Sequence, residues 1–158
     1  KELDCDIHHL SVKGKPYVVF VGKINDTPYE VFAGKNGIMD HDITAGKIVK
    51  VRSGFYKAVL PDEMEISPLT NICNEDEETL SRMASMSLRH GVNIQYISDQ
   101  LSKTHGELNS FAKCLARTLK KYIKNGTESK DKCPVCNTQL VYAEGCASCK
   151  TCAFTYCS

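Results

Sequence analysis

The spacing of apolar residues changes near residue 74 and divides the first 125 residues into two regions. Up to residue 60, β-branched and aromatic residues come in short runs that are separated by turn-forming residues. From Asn74 onward, apolar residues recur at every third or fourth position. Short alternating runs are typical of β-strands, and a period of 3.6 is typical of amphipathic helices. The sequence therefore predicts a β region followed by helices.

The first region predicts four or five antiparallel strands with one face against helices. Its runs are rich in Val, Ile, Phe and Tyr, which favour strands. Asn25-Asp26 and Ser53-Gly54 provide turn chemistry between successive runs. Five runs share this composition: residues 5–12, 16–22, 29–33, 47–52 and 55–60.

The second region predicts three helices. Asn74 followed by Glu77 is a capping-box pattern, and Gly91 is a natural helix stop. Two further apolar stripes predict helices over residues 92–104 and 107–124. The predicted fold class is α+β, with a small antiparallel sheet packed on about three helices and a C-terminal zinc ribbon after them.

Three segments are expected along the chain. Residues 1–125 form the predicted α+β body, residues 126–132 a polar linker, and residues 133–158 a cysteine-rich tail. The tail is short and carries few apolar residues. Four free, buried thiols are therefore a poor interpretation of its cysteines, because too few apolar residues are present to bury them.

Composition narrows the function classes. The 158 residues are 42% hydrophobic and 25% charged, a composition typical of globular proteins. The formal net charge of +1 argues against a protein dedicated to binding nucleic acids or membrane surfaces. The apolar run at 18–21 is far too short for a transmembrane helix, and the charged start argues against a secretory signal. A reducing, cytoplasmic location is expected. The absence of an initiator Met suggests a piece of a longer chain or a trimmed product.

The tail cysteines have the spacing of a zinc site. Six of the nine cysteines lie in the last 26 residues, and two C-x-x-C pairs stand 12 residues apart. Two residues between thiols let both sulfurs face one metal ion, and four thiolates complete a tetrahedral zinc shell. The predicted zinc ligands are Cys133, Cys136, Cys149 and Cys152.

The spacing also leaves alternatives open. Cys146 and Cys149 form an overlapping C-x-x-C pair; we prefer Cys149 and Cys152, because a small residue and an aromatic follow the latter. This assignment leaves Cys146 and Cys157 outside the metal shell. Surplus thiols beside a zinc cluster suggest dithiol–disulfide exchange, although spare cysteines can be merely tolerated. Cys152 and Cys157 form an alternative pair.

Other candidate residues have simpler interpretations. His8 and His9 are adjacent and are predicted as a surface pair, because neighbouring strand residues point to opposite faces. His90 suits a helix C-terminus. Cys73 and Cys114 are predicted as core or boundary residues.

Five segments together resemble a known family. The resemblance runs from about residue 3 to the end and is most specific over the last 25 residues. The segments are KPYVVFVG at 15–22, TPYEVFAGK at 27–35, LSRMASMSLRHGV at 80–92, ARTLKKYI at 116–123 and LVYAEGCASCKTC at 140–152. In this order they resemble the C-terminal region of adenosylcobalamin-dependent (class II) ribonucleotide reductases.

The resemblance implies an accessory domain, or a small subunit, of a ribonucleoside-diphosphate reductase that serves DNA synthesis. In that family, C-terminal cysteines re-reduce the active-site disulfide of a catalytic barrel that carries adenosylcobalamin. The family's six tail cysteines fall on those of this chain, which implies a redox relay by Cys146 and Cys157. The implied partners are the barrel and a cellular thiol reductant. The resemblance leaves open whether the chain forms a homo-oligomer. This chain alone is not expected to be catalytic.

The sequence departs from the family pattern after each knuckle. Asn137 and Ala153 stand where glycine is usual, and alanine adopts a positive φ less readily than asparagine. Two other interpretations remain: a nucleic-acid-binding zinc ribbon, supported by seven basic and two acidic residues at 113–132, and a structural assembly module without a redox role.

Overall fold

The computed structural model describes residues 1–157. The described chain contains ten strands, three α-helices and one 3-10 turn (Leu69–Ile72), and no helix in it is long and apolar enough to cross a membrane. The strands are β1 (Glu2–Val12), β2 (Lys15–Ile24), β3 (Thr27–Lys35), β4 (Ala45–Arg52), β5 (Phe55–Val59), β6 (Glu65–Ile66), β7 (Glu128–Lys132), β8 (Gln139–Ala143), β9 (Cys146–Ser148) and β10 (Thr155–Tyr156). The helices are α1 (Glu75–Arg89), α2 (Ile94–Ser102) and α3 (Phe111–Lys120).

The body contains one antiparallel sheet of six strands, in the order β3-β2-β1-β4-β5-β6. Asn25 and Asp26 both have positive φ, 51° and 63°, so they close the β2–β3 hairpin with the backbone twist that a two-residue turn requires. The predicted α+β class and antiparallel pairing are confirmed. The sheet has one strand more than the five predicted, β6. Its two residues are too few to show an alternation of apolar and polar positions.

Both faces of this sheet are buried, whereas the sequence predicted helices against one face only. Val19 and Val21 pack towards the three helices. Val18 and Phe20 face the other way, into a second apolar cluster with Leu69 of the 3-10 turn. The curled sheet covers its own second face, which explains why residues 18–21 are apolar without alternation.

All three predicted helices are present, and α1 and α2 begin and end close to their predicted limits. Asn74 caps α1: its side chain accepts a hydrogen bond from the Glu77 N–H, and the Glu77 carboxylate accepts one from the Asn74 N–H, so the capping box is confirmed. α2 starts two residues later than predicted, because Asn93 is its N-cap. α3 is shorter than predicted at both ends, and the backbone after Lys120 continues in tighter bonds such as Tyr122 N–H to the Leu119 carbonyl.

Two buried serines attach α1 to the edge strand β3. The Ser85 hydroxyl accepts a hydrogen bond from the Val31 N–H at 3.0 Å and donates one to the Val31 carbonyl at 2.9 Å. The Ser81 hydroxyl accepts one from the Ala33 N–H at 3.1 Å. An edge strand has backbone groups without a neighbouring strand. The serines satisfy these groups in place of that strand.

Replacing Ser85 with Ala should therefore destabilise the body. The change leaves the N–H and carbonyl of Val31 without partners at a site where Ser85 is only 2% exposed. A buried polar group that loses its partner costs about 1–3 kcal/mol, so the free energy of unfolding should fall by at least that much in urea denaturation. Ser87→Ala is the matched control, because that hydroxyl bonds only to Met83 of its own helix. Equal losses in the two variants would contradict the role of Ser85.

A second antiparallel sheet, in the order β10-β9-β8-β7, forms the tail. The sequence predicted a polar linker over residues 126–132, but Glu128–Lys132 form β7 and pair with β8. β7 contains no apolar residue, so a search for apolar runs does not predict it. Its backbone pairing with β8 holds the strand in place. The tail also contacts the body: at Gly145, a Cβ would lie 3.3 Å from the Lys121 Cα at the end of α3.

Candidate functional site

Two tight turns of the tail sheet present the C-x-x-C pairs. Cys133 follows β7, and its N–H donates to the Thr138 carbonyl at 2.7 Å. Cys149 follows β9, and its N–H donates to the Phe154 carbonyl at 2.9 Å. Each bond closes a loop across its knuckle. Both knuckles therefore turn their two sulfurs towards the same point.

The four cysteines predicted as zinc ligands are brought together. Their sulfur atoms all lie within 4.8 Å of one another, and they form the one group of three or more metal-ligating side chains found in residues 1–157. The Sγ–Sγ distances are 3.6 Å between Cys133 and Cys152, 3.4 Å between Cys136 and Cys149, and 3.9 Å between Cys136 and Cys152. The cluster joins one sulfur pair from each knuckle.

Backbone N–H groups point at the sulfurs. Val135 donates to the Cys133 Sγ, and Thr151 and Cys152 both donate to the Cys149 Sγ, each at 3.4 Å. Such bonds stabilise a thiolate, which is the form that binds metal. The backbone N–H groups of each knuckle are thus placed to stabilise a negatively charged sulfur atom.

The two knuckles close their turns differently. Asn137 follows the first knuckle and has φ of 61°, so it takes the left-handed conformation that glycine usually supplies. Ala153 follows the second knuckle and does not have a positive φ. The second turn therefore tolerates alanine, and the departure from the family's glycine does not prevent the knuckle from forming.

The pKa values of the cluster show that its thiols share charge unequally. The Cys152 N–H is the main reason that the pKa of Cys149 falls to about 6. The Phe154 N–H lowers the pKa of Cys152, but desolvation and the neighbouring sulfurs outweigh it and raise that pKa to about 12. Ionising all four thiols therefore requires a positive charge among them, which a bound cation would provide.

The donor set and its spacing fit a tetrahedral metal ion. With metal–sulfur bonds of about 2.3 Å, the sulfurs of a tetrahedral zinc site lie about 3.8 Å apart. The closest observed distances, 3.4–3.9 Å, bracket that value. Four thiolates select zinc or iron rather than the oxygen-bound cations. Metal binding by these residues stays a prediction.

A disulfide joins Cys146 and Cys157 outside this cluster. The register of two short strands explains the pairing. Thr155 lies opposite Ser148 and Tyr156 lies opposite Ala147, so one further step brings Cys157 opposite Cys146. The tail cysteines thus divide into a cluster of four and a bonded pair.

The disulfide lies beside the body. It lines a cleft of about 400 Å³ together with residues of β1 and α3. Cys157 is exposed and Cys146 half-buried, so a reagent in solution reaches the Cys157 sulfur more easily. Cys114 lies in the wall of this cleft, buried, and accepts a hydrogen bond from the Arg117 guanidinium at 3.2 Å.

The histidines lie away from the cluster. The Tyr122 hydroxyl donates to Asp6 at 2.6 Å, so the His8 Nε2, also 2.6 Å away, donates to the Tyr122 oxygen. The His9 Nε2 lies 2.6 Å from the Ile43 carbonyl. Both rings are half-buried and engaged, in contrast to the predicted surface pair. Contacts across more than 100 residues, as between Asp6 and Tyr122, leave no local pattern.

The remaining candidates occupy ordinary positions. The His90 Nδ1 lies 2.9 Å from the Met86 carbonyl at the end of α1. Cys73 is half-buried, and its thiol donates to the Ala33 carbonyl.

Comparison with protein families gives a match over most of the chain. A family model described as the NrdJ homologue C-terminal domain matches residues 3–124. Searches of curated proteins and of solved structures found no match. The matched region is the α+β body and ends before Cys133, so the chemistry of the tail is argued from its own geometry.

Proposed function

The chain belongs to the family of NrdJ homologue C-terminal domains, and on that premise we propose that it acts as the accessory C-terminal part of an adenosylcobalamin-dependent ribonucleotide reductase. The family relation to class II reductases, inferred from sequence motifs, is confirmed for the body. In the proposal, the tail relays electrons to the catalytic barrel. The single observation that carries the relay is the separation of a bonded cysteine pair from a four-sulfur cluster.

The cluster has a structural role in this proposal. Cys133, Cys136, Cys149 and Cys152 hold zinc and fix the two knuckles against each other. When bound, the zinc ion supplies a tetrahedral link and the positive charge that four thiolates require. The ligands stay in place through the redox cycle, because metal-bound thiolates are poorly free to move.

The relay uses Cys146 and Cys157 as a dithiol. One thiolate attacks the active-site disulfide of the barrel and forms a mixed disulfide, releasing one barrel thiol. The second thiolate attacks the mixed disulfide, which releases the other barrel thiol and closes the Cys146–Cys157 bond. Two electrons and two protons pass to the barrel. A cellular thiol reductant then reopens the pair and is itself oxidised to a disulfide.

The position of the pair suits such exchange. Cys157 is exposed next to the cleft whereas Cys146 is half-buried, so Cys157 is the sulfur that partners reach first. Adenosylcobalamin and the ribonucleotide belong to the barrel in this proposal, and the present residues act only by thiol exchange. A reducing, cytoplasmic setting follows from the need for free thiols.

Alkylation mapping tests the division of the cysteines. After mild reduction of the zinc-loaded chain, a small alkylating reagent should label Cys146 and Cys157 and spare the four cluster cysteines. After chelation, all six tail cysteines should be labelled. Elemental analysis should give about one zinc per chain, as a single tetrahedral site requires. Labelling of Cys146 and Cys157 only after chelation would place them in the metal shell and contradict the proposal.

The nucleic-acid alternative gains no specific support from the basic region at 113–132. Lys130 pairs with Asp99 at 3.1 Å and lies over the Tyr96 ring. Lys120 is half-buried, and desolvation lowers its pKa. Arg117 is engaged with Cys114. Several of these basic side chains therefore make contacts within the chain and do not form a continuous exposed stripe that could follow a nucleic-acid backbone.

A further inference from the structure

A cavity of about 260 Å³ lies within the body, between α1 and the strands β1, β3, β4 and β5. No residue of the tail lines it, so it is separate from the cysteine sites. Four cationic side chains and one carboxylate line this cavity, which we name the basic cavity. The charged residues are Lys1, Lys50, Arg82, Arg89 and Glu30.

The fold brings these charges together from distant parts of the chain. Arg82 and Arg89 are seven residues apart, so they lie about two turns apart on one face of α1. Lys50 comes from β4, and Glu30 lies on β3. Lys1 joins them because its carbonyl accepts a hydrogen bond from the Lys50 N–H at 2.9 Å. Four separate segments of the chain thus contribute charged side chains to the basic cavity.

The internal ion pairs leave positive charge unmatched. Arg89 lies 3.6 Å from the Glu30 carboxylate, and Arg82 lies 2.9 Å from Glu78 outside the cavity wall. Within residues 1–157, Lys1 and Lys50 form no salt bridge. Like charges held close together repel, most strongly where water is partly excluded. The basic cavity therefore carries an uncompensated charge that an anion would neutralise.

Three of the cationic side chains interact electrostatically with the same carboxyl group, that of Glu30. Glu30 is only 6% exposed, and burial raises the pKa of its carboxyl group, while Arg89, Lys50 and Lys1 act in the opposite direction. Three cations of the cavity are therefore close enough to influence the same buried group. A singly charged anion would gain little here, because Glu30 repels it.

Arg82 is held in place at the rim of the cavity. Its Nε donates to Glu78 at 2.9 Å, and an NH2 group donates to the Gly54 carbonyl at 3.2 Å in the β4–β5 turn. A planar guanidinium that is fixed on two sides keeps its remaining donors in a defined direction. Arginine forks match phosphate oxygens in pairs, which adds geometric selectivity to charge.

We propose that the basic cavity binds a small molecule that carries a diphosphate or triphosphate group. Several negative charges on one compact group match the convergent cations and outweigh the repulsion by Glu30. The volume lies just below the range of about 300–1,000 Å³ that is usual for small-molecule sites, which suits the phosphate chain rather than a whole large ligand. This site is independent of the proposed electron relay.

Calorimetry on the full zinc-loaded chain tests the proposal, with inorganic pyrophosphate as the probe. Titrations at constant ionic strength should show saturable binding of pyrophosphate. Orthophosphate should bind more weakly by about tenfold or more, because it carries less charge and makes fewer charge-assisted hydrogen bonds. Lys50→Gln and Arg82→Gln should each weaken pyrophosphate binding by a similar factor. Arg89 is left intact, because it pairs with the buried Glu30.

Lys47→Gln is the matched control. Lys47 lies on the same strand three residues before Lys50, does not line the cavity, and pairs with Asp4 at 3.4 Å. It should leave pyrophosphate affinity unchanged. Absence of saturable binding, or an equal loss in the Lys47 variant, would overturn the proposal. Tighter binding of a short oligonucleotide than of pyrophosphate would also overturn it, because the ligand would then be a nucleic-acid backbone.

Discussion

Cys157→Ser should limit the assembled reductase to one round of ribonucleotide reduction per active site. The first round uses a barrel that is already reduced and needs no relay. Each later round needs a dithiol that reaches the barrel's disulfide, and a single thiol at Cys146 can form the mixed disulfide but cannot resolve it. Rapid-quench measurement with a protein reductant should show a burst of one product per site and then no steady-state turnover.

The controls for this variant separate the relay from the fold. Zinc content should be unchanged, because Cys157 lies outside the four-sulfur cluster. A small dithiol that enters the barrel directly should restore cycling. Cys73→Ser is a matched control in the body, where the half-buried thiol donates to the Ala33 carbonyl, and this variant should turn over normally. Normal steady-state turnover of Cys157→Ser with the protein reductant would show that this residue is not part of the relay.

Removing the metal should unfold the tail sheet and leave the body folded. The buried apolar cluster of the tail consists of Cys133, Leu140, Ala147 and Cys149, so two of its four members are predicted ligands. Structural zinc contributes about 10–16 kcal/mol in small zinc-binding peptides, which is as large as the whole stability of an ordinary domain, about 5–15 kcal/mol. Without metal, so small a cluster cannot balance the conformational entropy of 25 residues or so.

Hydrogen exchange measured before and after chelation distinguishes the two parts. Amides of β7, β8 and β9 should lose protection after chelation, whereas those of β2 and α1 should keep it, because their apolar clusters contain no tail residue. Cys136→Ser should behave like the chelated protein, and Cys73→Ser should behave like the zinc-loaded one. A tail that stays protected without metal would show that the cluster is not a structural metal site. Loss of protection in the body would show that body and tail form one cooperative unit.

The local features of the fold could be predicted from the sequence, because the residues that create them are neighbours along the chain. The capping box of α1 depends on Asn74 and Glu77, three residues apart, and the structure confirms it. The antiparallel pairing follows from short apolar runs that are separated by turns such as Asn25-Asp26. The grouping of four tail cysteines follows from the two C-x-x-C spacings.

The arrangement of distant residues was decided only by the tertiary structure. The spacing left Cys146 and Cys157 with alternative partners, and the register of β9 with β10 brings them together. The sequence predicts a linker where β7 lies, because the pairing of β7 with β8 requires no apolar residue. The basic cavity joins Lys50 to Arg82 and Arg89 across the packing of α1 on the sheet. Local periodicity reports which face of an element is buried, but contacts between elements depend on how the whole sheet curls and where each helix packs on it.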